Sequence, residues 1–400
     1  MLPSACTIVS LNYLHYARAL CRSFLRHHPD GKFYVLLVDR LPKDFDLSSE
    51  EFYLVLVDEL GVPNFDSVAF KYDIMELNTN VKPTLLKVLF SQGVEQIVYL
   101  DPDIFIYRPL DSVFGALADH AIALTPHILS PDQDLAEQVL LSSGVFNLGF
   151  VAVKKCPEAV RFLDWWEARC LGLAYDEQRT GLFVDQKWVN FVPCLFDSVC
   201  VLRTPGCNMA YWNLHERQLS LERGMLLVNR EIPLEFYHFS GISVEGGERI
   251  SKYTDRFTLT TRPDLRGIFE EYRAELVKNG SREAHTAADY VFGSFDNGQY
   301  INRLTRSLYA ANLANYLGEN PFSSSSKFYQ WAKSAGIFGD RDTANTYTQR
   351  SYSKREPRLR MIHALLRGAL RVLGADRYTV LLRYLSYISI LRNQIDVFPN

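Results

Sequence analysis

The chain has 400 residues, of which 48% are hydrophobic and 22% are charged, the balance of a globular rather than a disordered protein. Its net charge of −3 gives no electrostatic reason to expect nucleic-acid binding. The seven cysteines include no CxxC pair, which disfavours a cysteine metal site or a disulfide framework. We find no signal peptide and no apolar run long enough to span a membrane. We therefore expect a cytoplasmic protein, or one attached peripherally at the inner face of the cell membrane.

The first hundred residues alternate between apolar runs typical of strands and segments with helical spacing. Strands are predicted at 6–11, 32–39, 52–60 and 95–101, and helices at 13–28 and 82–93. This order predicts parallel βαβ units with helices on both faces of the sheet. Ligands of such sheets bind outside the carboxyl ends of the strands. Asp39 and Asp101 follow two of these strands, so both are expected at that edge.

The rest of the chain changes from mixed to mainly helical. Strands are predicted at 121–126 and 144–155 and at the beginning of 236–241, and helices at 156–172 and within 183–196. Later helices are expected in 264–280, in 302–318 and after the serine run at 323–326. We therefore divide the chain into an α/β domain of residues 1–263 and a mainly helical region of residues 264–400.

The C-terminal tail is strongly basic. Residues 350–392 hold ten Lys or Arg and two acidic residues, a net charge of about +8. Within 358–373 the apolar residues Leu359, Ile362, Leu366, Leu370 and Leu373 share one helical face, and Arg360, Arg367 and Arg371 share another. This pattern is typical of a helix that contacts an anionic membrane. The alternative, to which the sequence gives somewhat more weight, is a helix packed on its own domain with a solvated basic face.

The DPD segment at 101–103 places two carboxylates at the end of an apolar strand, where burial without partners would be unfavourable. Side chains two residues apart on an extended backbone point the same way, so Asp101 and Asp103 would share one side. Paired carboxylates suit Mg²⁺ or Mn²⁺. Such an ion can stabilise negative charge on a leaving diphosphate. The alternative is a strand-end turn in which Asp101 accepts hydrogen bonds from local amides.

The run VYLDPDIFIYRPLDSVF at 98–114 resembles the metal-binding segment of nucleotide-sugar glycosyltransferases with the GT-A fold, and is similar to family 8. Five further segments match in chain order, namely those at 6–24, 82–90, 144–155, 183–193 and 236–241. The resemblance implies a Rossmann-like, mostly parallel sheet flanked by helices, here with a C-terminal helical extension. It also implies metal-dependent transfer of a sugar from a nucleoside-diphosphate sugar, with a UDP-sugar favoured, to a hydroxyl of a glycan, a lipid-linked saccharide or a protein. Retention of configuration is the outcome that the family implies.

The resemblance assigns roles to individual positions. Asp101, Asp103 and His238 would bind Mn²⁺ or Mg²⁺. Ser10, Asn12 and Tyr13 would lie by the base and ribose. Lys82, or Lys87 one turn later, would contact the donor, and Lys252 would neutralise diphosphate charge. Asn147 would bond sugar hydroxyls, and Asp185 and Gln186 would lie near the reacting carbon. Gly149 and Gly241 are expected to shape the backbone rather than to touch a ligand.

Two departures separate this chain from the family pattern. Leu148 stands where the family has a serine, and the segment after His238 lacks the compact lysine–proline–tryptophan ending. Both leave the donor sugar and the stereochemical outcome open. If the reaction instead inverts configuration, a carboxylate must accept the acceptor's proton, and Asp185 is the first candidate.

Residues 206–217 combine amides with aromatic rings. Asn208, Tyr211, Trp212, Asn213 and His215 could bind a sugar, with Asn208 on the donor, or could form a buried aromatic loop. His215 is also an alternative to His238 as the third metal ligand. Two other functions stay open, a nucleotidyltransferase or related phosphoryl-transfer enzyme and a non-catalytic docking protein. The first would be expected to carry an early Gly-rich loop, but residues 6–31 contain only Gly31.

Overall fold

A computed structural model describes residues 2–42, 45–133, 137–280, 290–339 and 357–398. The chain forms two compact units, one of Met1–Val62 with Ile74–Val291 and one of Pro63–Asp73 with Phe292–Asn400. The helix at Arg266–Lys278, which the sequence analysis places in the C-terminal region, belongs to the first unit.

The first unit is built on a central sheet of seven described strands. These are β1 (Ser4–Val9), β2 (Lys32–Leu37), β3 (Tyr53–Leu56), β4 (Gln96–Leu100), β6 (Ile122–Pro126), β7 (Phe146–Lys154) and β10 (Val199–Val201), in the order β10-β6-β7-β4-β1-β2-β3. Neighbours pair in parallel, except that β7 runs antiparallel to β4 and β6. The beginning of β7 therefore lies at the edge where the parallel strands end. The predicted α/β class with a mostly parallel central sheet is confirmed.

Small two- and three-stranded sheets complete the strands of this unit. They are formed by β5 (Ile104–Ile106) with β14 (Phe236–His238), β8 (Asp176–Glu177) with β9 (Leu182–Phe183), β11 (Leu219–Glu222) with β12 (Met225–Val228) and β13 (Ile232–Pro233), and β15 (Arg249–Ser251) with β16 (Thr254–Thr258). The pair β5 and β14 joins the DPD segment to the segment 236–241, which contains His238.

Helices flank the sheet in the first unit. They are α1 (Leu14–His27), α3 (Ile74–Asn80), α4 (Lys82–Ser91), α5 (Asp111–Asp119), α6 (Glu137–Ser143), α7 (Pro157–Leu173), α8 (Val192–Leu195) and α9 (Arg266–Lys278). Apolar residues of α1 and α5 pack with one face of β1 and β4 in a buried core. Every residue of β1 and β4 is buried, which explains why both strands are nearly continuous apolar runs. Prolines in the first turns of α4 and α7 fit positions whose N–H has no helical partner.

The second unit is helical, with an aromatic core. Its helices are α2 (Phe65–Lys71), α10 (Arg303–Ala311), α11 (Lys327–Ser334) and α12 (Pro357–Ile388). Phe328 packs edge to face on Phe70 and on Tyr309 at the centre, and the Phe70 and Tyr309 rings are tilted against each other. Asn302 and Ser326 cap α10 and α11 by accepting backbone N–H groups three residues later. The predicted tail begins at residue 350, but its residues up to 356 lie outside the described part of the chain.

Two predicted elements take a different local form. The strand expected at 52–60 ends at Leu56, and a 3-10 turn follows at Val57–Leu60, closed by Gly61 with a positive φ of 66°. The helix expected within 183–196 is a 3-10 turn at Lys187–Phe191 followed by the one-turn α8. Across the described ranges, none of the helices combines the length and apolarity needed to cross a membrane.

Candidate active site

The DPD segment forms a turn at the carboxyl edge of the sheet. The Asp101 N–H donates to the Gly149 carbonyl of β7 at 2.7 Å, and the Ile104 N–H donates to the Asp101 carbonyl at 3.0 Å. The Tyr99 hydroxyl donates to Asp101 Oδ1 at 2.8 Å, as expected for residues two apart on one strand face. The Asp101 carboxylate is therefore oriented by a residue of β4, the strand that Asp101 follows.

His238 meets the two aspartates because β14 pairs with β5. His238 lies opposite Ile104 in this antiparallel pair, next to Asp103 in the chain. Its Nε2 is 2.9 Å from Asp103 Oδ1 and 3.9 Å from Asp101 Oδ2. One ligand atom from each of the three side chains lies within 4.8 Å of the others. The three residues predicted from separate segments thus form one cluster.

The cluster has the donor set for a divalent cation. Two carboxylates offer the hard oxygen ligands that Mg²⁺ and Mn²⁺ prefer, and the neutral imidazole adds a nitrogen ligand. Burial lowers the pKa of His238, but Asp103 and Asp101 raise it, and the net shift is upward. The acidic environment thus favours a positive charge at this point, which a proton or a metal ion can supply. The residues present fit the metal that the family resemblance implies.

Gly149 forms the surface on which the His238 ring lies. A Cβ atom at Gly149 would stand 2.4 Å from His238 Cε1 and 2.8 Å from His238 Nδ1. The Trp212 ring contacts the same imidazole edge to face, with centroids 5.1 Å apart. The ring is therefore confined between a glycine backbone and an indole.

A buried ion pair joins two more of the predicted residues. Lys82 Nζ is 2.6 Å from Asp185 Oδ2, and both side chains are nearly inaccessible. Nζ also donates to the Leu148 carbonyl at 2.7 Å and stands 4.1 Å above the Tyr99 ring. Burial raises the pKa of Asp185 to about 6, although Lys82 opposes the shift. Lys82 thus stabilises the site from inside the protein, and its predicted contact with the donor stays a prediction.

The backbone before Asp185 is strained. Val184 has a φ of 42°, a left-handed conformation that is rare for a β-branched residue. Such residues carry a conformational cost of about 1–3 kcal/mol and tend to occur at functional sites. Here the strain turns the chain so that Asp185 points to Lys82 and the next residue, Gln186, reaches β7.

Amide side chains connect the strands at this edge. Gln186 Oε1 accepts the Leu148 N–H at 2.9 Å, and Gln186 Nε2 donates to the Ser143 carbonyl at 3.0 Å. Asn208 Nδ2 donates to Asn147 Oδ1 at 3.0 Å and to Thr125 Oγ1 at 2.8 Å. The predicted residues Asn147, Gln186 and Asn208 are therefore part of one bonded framework around the start of β7.

The loop after β1 and the β15–β16 turn carry predicted residues, two of which interact electrostatically with Asp103. Ser10 Oγ donates to Asn12 Oδ1 at 2.6 Å, and the neighbouring Tyr13 is exposed. Its side chain is nevertheless partly enclosed by neighbouring residues, and this partial burial raises the pKa of Tyr13, with Asp103 adding to the shift. Burial lowers the pKa of Lys252, but Tyr253, Tyr13 and Asp103 raise it above its usual value. The predicted residues Tyr13 and Lys252 therefore lie in the field of the carboxylate cluster.

Two alternatives of the sequence analysis lie elsewhere. Lys87 Nζ pairs with Asp164 at 2.7 Å and with Glu167 at 2.5 Å, both on α7. His215 lies 3.5 Å from Asp132 and is not part of the described cluster of metal-ligating side chains. The geometry therefore favours His238 over His215 as third ligand, and Lys82 over Lys87 as the lysine connected to the site.

Sequence reasoning missed the residues that support the cluster. Tyr99 could have been found, because it stands two residues before Asp101 on the same strand face. Two further supporting residues, Thr125 and His127, could not be recognised from the sequence. His127 Nε2 lies 3.4 Å from Asn147 Nδ2, and Thr125 Oγ1 accepts a hydrogen bond from Asn208 Nδ2. Burial lowers the pKa of His127 to about 4, so its imidazole is neutral near pH 7.

Comparisons with known proteins give the following relatives. No protein-family model matches the chain. The uncharacterized protein YfnF of Bacillus subtilis (strain 168) is 28% identical over 289 residues, which is 69% of this chain and 92% of YfnF. Among solved structures, the chain is similar to the galactosyltransferase LgtC in complex with donor and acceptor sugar analogs, with a TM-score of 0.40 and 15% identity over 68% of this chain and 95% of LgtC. It is also similar to the glycosyltransferase GlyE of Streptococcus pneumoniae TIGR4, with a TM-score of 0.39 and 16% identity over 70% of this chain and 64% of GlyE.

Proposed function

We propose that this protein is a metal-dependent glycosyltransferase of the GT-A type that transfers a sugar from a nucleoside-diphosphate sugar to an acceptor hydroxyl. The observation that carries the proposal is the cluster of Asp101, Asp103 and His238 at the carboxyl edge of the sheet. Ligands of open α/β sheets bind at this edge. The ordered resemblance of six sequence segments to family 8 supports the same function and favours a UDP-sugar as donor.

In this proposal, three side chains hold the cation and others prepare its surroundings. A divalent cation, when bound by Asp101, Asp103 and His238, would supply positive charge for the departing diphosphate. Lys252, exposed beside the cluster, would add charge on the same group. The exposed ring of Tyr13 would give the nucleoside base a surface for stacking.

The sugar would lie toward β7 and the amide framework. Asn147 offers an amide group for sugar hydroxyls, and the fully buried Asn208 fixes its orientation through their hydrogen bond. Lys82 pairs with Asp185, which favours the ionised form of this buried carboxyl against the effect of burial. Transfer with retention by a front-face route needs no strong general base, so an enclosed, paired Asp185 would act by position and charge.

The first test is nucleotide binding. We expect UDP with Mn²⁺ to raise the thermal unfolding temperature more than either alone, and more than GDP or CDP with Mn²⁺. Asp103→Ala should abolish this synergy, whereas Asp119→Ala, an exposed residue at the end of α5, should keep it. If no nucleoside diphosphate stabilises the protein with or without metal, the proposal fails and a non-catalytic docking protein is favoured.

The second test is donor turnover. A panel of nucleotide sugars should show slow, Mn²⁺-dependent hydrolysis of one donor to free sugar and nucleoside diphosphate. Release of pyrophosphate from a nucleoside triphosphate instead would support a nucleotidyltransferase. Once a donor is known, acceptor glycans, lipid-linked saccharides and proteins can be screened. NMR of the anomeric proton in the product then distinguishes retention from inversion.

A further inference from the structure

The long helix α12 presents large apolar side chains to solvent. In its first half Met361 is 62% exposed, Leu365 66% and Val372 85%. None of the described side chains from 359 to 388 is buried. Large apolar residues such as Met, Leu and Val are usually buried in the core of a protein. The interpretation that this helix packs on its own domain with only its basic face in water therefore does not describe it.

The arginines of this half lie together on one side. At roughly 100° per residue, Arg360, Arg367 and Arg371 fall within an arc of about 40°. All three are exposed. The large apolar residues occupy the remaining directions, chiefly opposite and beside the arginines. These are Leu359, Met361, Ile362, Leu365, Leu366, Leu370, Val372 and Leu373. The result is a broad apolar surface bordered by a narrow band of positive charge.

The charge of the helix is opposite to that of the rest of the protein. Residues 359–388 contain five arginines and a single acidic residue, Asp376, a net charge of +4. Because the whole chain carries −3, the remaining residues together carry −7. Positive charge is thus concentrated on the element that also exposes the apolar side chains.

The chain after the helix is anchored, so the exposed helix is not a loose terminus. A 3-10 turn at Leu391–Asp396 follows α12, and Ile395 and Phe398 pack against the aromatic core of the second unit. Gly374, with φ 75° and ψ 166°, divides the helix into two parts. Only glycine adopts such a conformation readily. The break gives the basic half its own direction.

We propose that α12 docks this protein on an anionic lipid bilayer. Its apolar side chains would enter the boundary between headgroups and acyl chains, and its arginines would contact lipid phosphates. The exposed Tyr384 and Tyr387 in the second half suit the same interfacial layer. Charge selects this occupant over a second copy of the chain, because a partner helix would bring five more arginines and only one aspartate. The inference is independent of the proposed catalytic activity.

The test is sedimentation of the full chain with lipid vesicles. We expect binding to vesicles of phosphatidylglycerol and phosphatidylcholine, and at least about tenfold weaker binding to phosphatidylcholine alone. Raising the salt concentration from about 0.1 M to about 1 M shortens the Debye length from about 10 Å to about 3 Å and should weaken the binding.

Variants separate the two contributions. Leu365→Glu combined with Val372→Glu should remove vesicle binding, whereas Leu221→Glu, at an equally exposed leucine of β11, should not. Replacing Arg360, Arg367 and Arg371 together by Gln should reduce binding to anionic vesicles at least about tenfold. The circular dichroism spectrum and the thermal unfolding temperature should be unchanged in all variants, which shows that they are folded.

Two results would overturn the proposal. One is a wild-type chain that does not sediment with anionic vesicles. The other is a dimer in light scattering that Leu365→Glu with Val372→Glu converts to a monomer, without vesicle binding by either. The second result would identify the apolar surface as a contact between copies.

Discussion

Replacing Gly149 by alanine would place a methyl group where the His238 ring now lies. The new Cβ would stand 2.4 Å from His238 Cε1, 2.8 Å from His238 Nδ1 and 2.9 Å from Asn147 Oδ1. Ordinary contacts between carbon atoms begin at about 3.5 Å, so one of the neighbours must retreat by about 1 Å. The imidazole is confined on its other side by Trp212.

Either way of relieving the clash disturbs the proposed metal site. If the ring retreats by about 1 Å, His238 Nε2 leaves its place, whereas metal–ligand distances tolerate only about 0.2 Å. If β7 moves instead, it loosens the 2.7 Å hydrogen bond from the Asp101 N–H to the Gly149 carbonyl and displaces another ligand. Changes that misplace ligands in this way typically lower metal affinity 10–100-fold. Overpacking should also lower the free energy of unfolding by about 1–3 kcal/mol.

The assay is titration with Mn²⁺ in the presence of UDP, read by electron paramagnetic resonance of free Mn²⁺, with thermal unfolding measured in parallel. Gly31→Ala is the matched control, since its Cβ would stand 2.8 Å from Phe24 Cε1 and 2.9 Å from the His28 carbonyl, before the start of β2 at the opposite edge of the sheet. Gly115→Ala, with no atom within 4 Å of the new Cβ, should change neither property. Gly31→Ala should lose stability but keep the Mn²⁺ affinity of the wild type. The reasoning is refuted if Gly149→Ala binds Mn²⁺ within about twofold of the wild type.

Three further changes test the framework around the cluster. Lys82→Met or Asp185→Asn alone leaves one member of a buried ion pair without its partner and should lower the free energy of unfolding by about 3–5 kcal/mol in chemical denaturation. The double variant Lys82→Met/Asp185→Asn should lose less than the sum of the two single changes, and full additivity would contradict the pair. Burial lowers the pKa of His127 to about 4, so only the unfolded chain takes up a proton at this residue as the pH falls from 6.5 to about 4. The free energy of unfolding should therefore decline over this pH range, and decline less in His127→Asn. An equal dependence of the free energy of unfolding on pH in the two proteins would refute this assignment. Asn208→Gly can keep the positive φ of 55° but removes the hydrogen bonds that the Asn208 amide donates to Thr125 and Asn147. We expect it to lower donor turnover. Unchanged turnover would exclude a role of Asn208 in sugar orientation.

Much of the fold followed from local patterns. The strands that became β1, β2, β4 and β7 are continuous apolar runs because the sheet is covered on both faces, and such runs are recognisable without a partner. The alternation of strands and helices predicted the parallel sheet, which the structure confirms. The antiparallel direction of β7 was not predicted, since no local feature of 144–155 states which neighbour it pairs with.

The geometry of the candidate site could be predicted only where it depends on residues close together in the sequence. The spacing of Asp101 and Asp103 on an extended strand end already implied a shared direction. Lys82 and Asp185 are 103 positions apart in the sequence, and their 2.6 Å ion pair depends on how α4 and the segment before Lys187 meet. A lysine in the first turn of a helix is usually exposed to solvent, so the burial of Lys82 could not be predicted from the neighbouring sequence.

The sequence by itself determined the apolar runs, their order and the two carboxylates at a strand end, because each depends on neighbours within a few residues. Tertiary structure decided which histidine stands beside these carboxylates. Aromatic residues stand close to both His215 and His238 in the sequence, and only the pairing of β14 with β5 brings His238 within 2.9 Å of Asp103. Only the tertiary structure shows why residue 149 is a glycine, because the His238 ring that lies against it belongs to β14, nearly ninety residues later in the chain.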